Sequence, residues 1–186
     1  MTALRIERRA PLSMKAQTVA TVLAIVAAVV VPQWFHWLGM VSGAGKAPGV
    51  AFSPMHLPVI LVGFLAGPIA GAVSGLLGPV AAHLFSGMPT AAQLPFMMIE
   101  LFGYGLSAGL LRTVRVPLAV STLLSLLCGR VLRMIACAVA FYALGNETVS
   151  PLGIWRSVPA CLPGIVLQLA FVPLVVYWAE HRNREA

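Results

Sequence analysis

A chain of 186 residues with 60% hydrophobic and 9% charged side chains is not a water-soluble globule, in which roughly a quarter of residues are charged. Its mean hydropathy of +0.94 makes a lipid bilayer the solvent. The net charge of +7 calls for no nucleic-acid partner if the basic residues sort to one side of that bilayer.

A helical span needs about 20 apolar residues, fewer where helices are short or paired. In chain order the apolar blocks are 14–38, 55–66, 69–85, 94–111, 118–143 and 157–179. They predict an all-α integral membrane bundle of six transmembrane helices forming one domain over 1–186. Gly67-Pro68, a helix stop and turn signal, divides the second block from the third. Charge supports that division. Arg5, Arg8, Arg9 and Lys15 precede or open the first helix, Arg112 and Arg115 follow the fourth, and Arg182 and Arg184 close the chain. Six helices put all eight on one side and leave Lys46 and Arg156 opposite. The positive-inside rule then places the amino and carboxy termini in the cytoplasm and the chain in the inner (cytoplasmic) membrane. Five helices would send the tail arginines outside.

The first block has the basic start of a secretory leader, and Ser42-x-Ala44 is a passable cleavage site. Its apolar run is longer than a leader's, however, and it ends in Trp34, Phe35 and Trp37, an interfacial aromatic belt. A retained helix is expected. Ala16, Ala20, Ala24 and Ala28 recur every fourth residue along it, which puts small side chains on one face and lets another helix approach closely. That face serves either packing within the chain or docking of a partner subunit. Gly63, Gly67, Gly71 and Gly75, then Gly105 and Gly109, repeat the spacing.

Between the first two helices lies Ser42-Gly-Ala-Gly-Lys-Ala-Pro-Gly49. It lacks the Gly-Lys-[Ser/Thr] ending of a phosphate-binding loop. Its Gly43, Gly45 and Lys46 suit a flexible lid.

Ionisable groups inside spans are costly and mark functional sites by default. Glu100 lies about two turns into the fourth helix, and Arg130 and Arg133 lie three residues apart, on one face, near the middle of the fifth. Counted from the outer ends, Glu100 and Arg133 share a depth. They form either an ion pair that locks two helices together or a site where one guanidinium stays free for a carboxylate or phosphate, which it binds through two parallel N–H groups. One acid against two bases leaves a surplus positive charge and favours an anionic ligand. Tyr104 and Gln168 are placed to add hydrogen bonds.

His36, His56 and His83 map near the outer face, with Met55 beside His56. Imidazoles suit a transition metal, but these lie on three segments without helical i, i+4 spacing, so no metal site is expected. Cys128, Cys137 and Cys161 fall inside helices without a C-x-x-C pair and read as packing residues. The chain has no Asp and no H-E-x-x-H. The Ser74-Gly75 pair lacks the preceding glycine of an intramembrane serine protease, since position 72 is Ala. No enzyme and no cofactor are expected.

Phe52-Ser-Pro-Met-His-Leu-Pro-Val59, Gly63-Phe-Leu-Ala-Gly-Pro68, Gly75-Leu-Leu-Gly-Pro79, Ser86-Gly-Met-Pro89 and Met98-Ile-Glu-Leu-Phe-Gly-Tyr-Gly105 together resemble the substrate-binding S component of energy-coupling factor (ECF) transporters. The likeness is strongest over 52–111. It implies a substrate-specific subunit of an ABC-type importer that binds a vitamin or related micronutrient at the outer face. It also implies a membrane coupling subunit, met by the first helix through Ala16, Ala20 and Ala24, and two separate ATPase subunits. Glu100, Tyr104, Arg130, Arg133 and Gln168 would then lie at the pocket with His56, under a lid over 42–49. A carboxylate-bearing substrate suits the arginines. Nickel and cobalt members of this family begin with Met-His, whereas Met55-His56 here is internal. A metal-uptake subunit and a structural membrane protein without transport function remain the alternatives.

Overall fold

The computed structural model describes residues 13–45, 47–146 and 149–182, and 82% of the chain is helical. Eight helices follow in order: α1 Met14–Val41, α2 Ala47–Phe52, α3 His56–Ala66, α4 Pro68–Ser86, α5 Leu94–Leu111, α6 Leu118–Tyr142, α7 Pro151–Arg156 and α8 Val158–Arg182. Among the described residues, six segments are long and apolar enough to cross a membrane: α1, α2 and α3 taken together (Ala47–Ala66), α4, α5, α6 and α8. The predicted Gly67-Pro68 break is a real helix boundary. Gly67 adopts φ of 109° and Pro68 opens α4, where its missing N–H costs nothing.

α5 is the hub, packed against α3, α4 and α6. Leu101, Tyr104 and Ala108 on it are fully buried. The glycine stripes explain how the neighbours come so close. A Cβ on Gly71 would run into the backbone of Gly105, one on Gly105 into that of Gly71, and one on Gly75 into that of Leu101. The α4 and α5 backbones therefore touch, as small-residue spacing allows. Large apolar side chains such as Val19, Leu23 and Val26 of α1 or Leu123, Leu127 and Ile135 of α6 point outward, which suits hydrocarbon and would be costly in water.

The alanine stripe of α1 turns inward. Ala24 is buried with Val62, Ala66 and Ala70, with Ala20 packed against the group. Ala28 is buried in the main core, where Gly78 leaves room for its methyl. From Ala20 to Ala28 this close-packing face is occupied by α3 and α4 of the same chain. Only Ala16, half-buried near the helix start, lies at the edge of the packing.

The connections after α1 and α6 contain more helix than expected. Residues 47–52, read as part of a flexible lid and its flank, form α2, and α7 occupies the connection after α6. α2 rests on α8 because Gly164 has no side chain: a Cβ there would meet the carbonyls of Ala51 and Phe52. Such local docking gives a six-residue helix the stability its length denies it. Lys46 lies outside the described residues.

Candidate functional site

The end of the bundle that carries α2 and α7 holds a cavity of about 370 Å³ whose wall includes Glu100 of α5 and both Arg130 and Arg133 of α6. Glu100 is fully buried. Such a carboxylate persists as an ion only where it is paired and hydrogen-bonded, and here three side chains meet it. Arg133 donates from Nη1 to Oε2 at 2.5 Å, Arg130 brings Nε to 3.3 Å from Oε1, and the Tyr104 hydroxyl donates to Oε1 at 2.7 Å. Glu100 and Tyr104 are four residues apart and therefore neighbours on one helix face.

The expected contact between Glu100 and Arg133 thus forms, but the expected division of labour does not. Neither arginine is left wholly to a ligand, because the one carboxylate holds both. Each guanidinium has five N–H donors, so its contact with Glu100 engages only part of the fork. The Nε of Arg133 is buried without a partner among the described residues, while its side chain is 24% exposed against 11% for Arg130. Two cations against one anion leave one unit of positive charge on the cavity wall. Arg133 is the better placed of the two to offer it.

Gly129 makes this arrangement fit. It faces the Tyr104 ring and the backbone carbonyl of Glu100 so closely that a Cβ would overlap both. α6 can thereby settle on α5 at the level of the ion cluster. Its role was hidden in the sequence, since it follows no stripe; only its place next to Arg130 marks it.

His56, the first residue of α3, is buried and lines the cavity. Its ring centroid lies 4.9 Å from that of Tyr104. His36 also reaches the cavity, whereas His83 bonds through Nδ1 to the carbonyl oxygen of Pro89 at 2.7 Å. Among the described residues, no three His, Cys, Asp or Glu side chains converge as a metal site would require.

Of the glycine-rich stretch 42–49, Gly49 lines the cavity, followed by Val50, Ser53 and Pro54, while Gly43 and Gly45 are exposed turn residues outside its lining, with φ of 71° and 59°. Ser53 joins α2 to α3 with φ of 44°, a left-handed conformation that non-glycine residues seldom adopt. Gln93, at the start of α5, and Ser157, between α7 and α8, complete the polar wall. Neither stood out in the sequence, because isolated polar residues at helix ends carry no pattern.

Two smaller spaces adjoin. One of about 330 Å³ shares Gln93, Arg133 and Ser157 with the main cavity. Another, of about 80 Å³, shares Ser53, His56, Arg130 and Cys161 with it, and Tyr104 and Gln168 lie on its wall. Of the six residues expected at a binding site, Glu100, Arg130, Arg133 and His56 line the main cavity. Tyr104 and Gln168 lie in the adjoining space.

Residues 15–176 match the family of ECF transporter substrate-specific components. No curated protein and no solved structure matches the chain. A match over that much of the sequence shows membership: the chain belongs to the ECF transporter substrate-specific components, a family of multi-pass membrane transporter subunits and not of enzymes.

Proposed function

We propose that this ECF substrate-specific component takes a small carboxylate-bearing micronutrient from the outer face and binds it in the cavity walled by Glu100, Arg130 and Arg133. The observation that carries the reading is the unequal charge count: one buried carboxylate serves two arginines at the wall of a partly open cavity. In a medium of low dielectric a surplus cation is costly, and an anionic ligand removes that cost. The Glu100 carboxylate fixes both guanidiniums in advance, so little side-chain entropy is lost when an acid group docks on them.

His56 and Tyr104 form an aromatic wall beside the charges, and the stretch from Gly49 to Pro54 covers the opening. As an importer subunit the chain works with a membrane coupling subunit and two ATPase subunits, both termini lying in the cytoplasm. Ala16 is the stripe residue free enough to take part in that contact.

The test is a thermal-shift series on the full chain in mild detergent, with small carboxylic acids each matched to its neutral amide. Acids are expected to raise the melting temperature and amides to leave it unchanged. Arg133→Gln is expected to remove the response. Equal responses to acid and amide would overturn the reading.

A further inference from the structure

The main cavity accounts for the arginines and leaves Gln168 unused. Gln168 sits on α8 with 1% of its surface exposed, and its Oε1 is buried without a hydrogen-bond partner among the described residues. Buried side-chain amides are nearly always bonded, because an unmatched polar group forfeits its hydration for nothing. This one lies on the wall of the roughly 80 Å³ space behind Arg130. The rest of that wall is largely apolar, with Leu126, Trp155 and Ile165 among its members. The space is not remote from the main cavity. Ser53, His56, Arg130 and Cys161 line both, so the two spaces share a wall that includes one of the guanidiniums.

Resting on the carboxylate reading above, we infer that Gln168 is a specificity residue that reads the end of the substrate remote from its acid group. The substrate class follows from the wall. It is a small acid whose other end is compact and apolar, about the size of a few heavy atoms, and carries one hydroxyl, amide or ring N–H group that donates to the Gln168 oxygen. An apolar pocket by itself discriminates weakly between a methyl and a hydroxyl group, whereas a buried group left unpaired by the wrong ligand discriminates strongly. A single amide at the end of an apolar space is suited to that second kind of selection. The two ends of the substrate are thus read by different helices, the acid by α6 and the remote group by α8.

The experiment uses the full chain in detergent and a defined library of carboxylic acids below about 250 Da. Each member bearing a remote hydroxyl or amide is paired with one bearing hydrogen or methyl at that position. Retained acids are quantified by mass spectrometry for the unmodified chain and for Gln168→Leu, and both are melted without ligand. The unmodified chain is expected to retain hydroxyl or amide members at least about tenfold over their partners. In Gln168→Leu that preference falls to within about twofold, while acids are still retained. The ligand-free melting temperature of Gln168→Leu is expected to equal or exceed that of the parent, because an unpaired amide has been removed. Gln168→Met, closer in length, replaces it if the leucine variant does not fold.

Equal retention of both members of each pair by the unmodified chain overturns the inference and leaves the carboxylate reading standing. So does a preference that survives in the variant. A melting temperature lowered by about 5 °C or more would mark Gln168 as a structural residue and overturn it too. Retention of no acid at all overturns the carboxylate reading, and this inference with it.

Discussion

Arg133 donates to Glu100 from Nη1 at 2.5 Å while the Nε of the same guanidinium has no partner among the described residues. One side chain thus belongs both to the packing of α6 on α5 and to the wall of the cavity. The carboxylate anchors it, and its remaining donors are the part a ligand can use.

Replacing Glu100 by Gln leaves two arginines in the interior without a counter-charge. Removing one partner of a buried pair costs about 3–5 kcal/mol, and here two cations lose it together. Glu100→Gln is therefore expected to give a chain that melts far below the parent or fails to accumulate in the membrane. A melting temperature within 2 °C or so of the parent would show that the carboxylate carries little of the fold.

Arg133→Gln behaves differently. Arg130 still neutralises Glu100 and Tyr104 still donates to its Oε1, while Oε2 loses its bond to Arg133; with one cation left for one carboxylate, a loss of about 2 kcal/mol is expected. Binding of acids should fall at least about a hundredfold, since a charge-assisted contact has gone. Arg133→Lys keeps the charge but not the planar fork and should recover only part of the affinity. Calorimetric titration of the three forms with an acid found by the thermal-shift series checks this order.

Gly129→Ala inserts a methyl between α6 and the Tyr104 ring, where no space exists. Overpacking of this kind costs about 1–3 kcal/mol. It should also weaken acid binding, because the ring that bonds Glu100 is displaced. Gly153→Ala is the control. A Cβ there meets Ser150 at 3.4 Å, an ordinary contact, so the melt should be unchanged or slightly raised, by up to about 1 kcal/mol.

Ala24→Leu and Ala16→Leu separate packing from docking. Ala24 is enclosed by Val62, Ala66 and Ala70, and a larger side chain should lower the melting temperature of the chain on its own. Ala16 is only half-buried, so Ala16→Leu should leave that melt unchanged and reduce co-purification with the membrane coupling subunit. If Ala24→Leu melts like the parent, the inward reading of the stripe is wrong.

The spans were legible because their signal is composition over a long window, which tertiary contacts do not alter. The second and third helices, split at Gly67-Pro68, appear where that dipeptide put them. The short helices α2 and α7 were not legible. Ala47-Pro48-Gly49 opens like a loop, and what makes it helical is Gly164, more than a hundred positions away. Within the site, shared depth was enough to bring Glu100 and Arg133 together. That Arg130 joins the same carboxylate depends on side-chain reach and on the close approach allowed at Gly129, neither of which periodicity reports. The alanine stripe showed a close-packing face but not its occupant, since a helix of the same chain and one of a partner ask for the same small residues.

Carboxylate binding at Arg133 is best examined by mass spectrometry of small molecules released from the chain purified in mild detergent, performed in parallel on Arg133→Gln. A compound bearing a carboxylate is expected, released in near-equal amount to the protein from the parent chain and absent from the variant. A neutral compound in that amount, or an acid held equally by Arg133→Gln, would contradict carboxylate binding at Arg133.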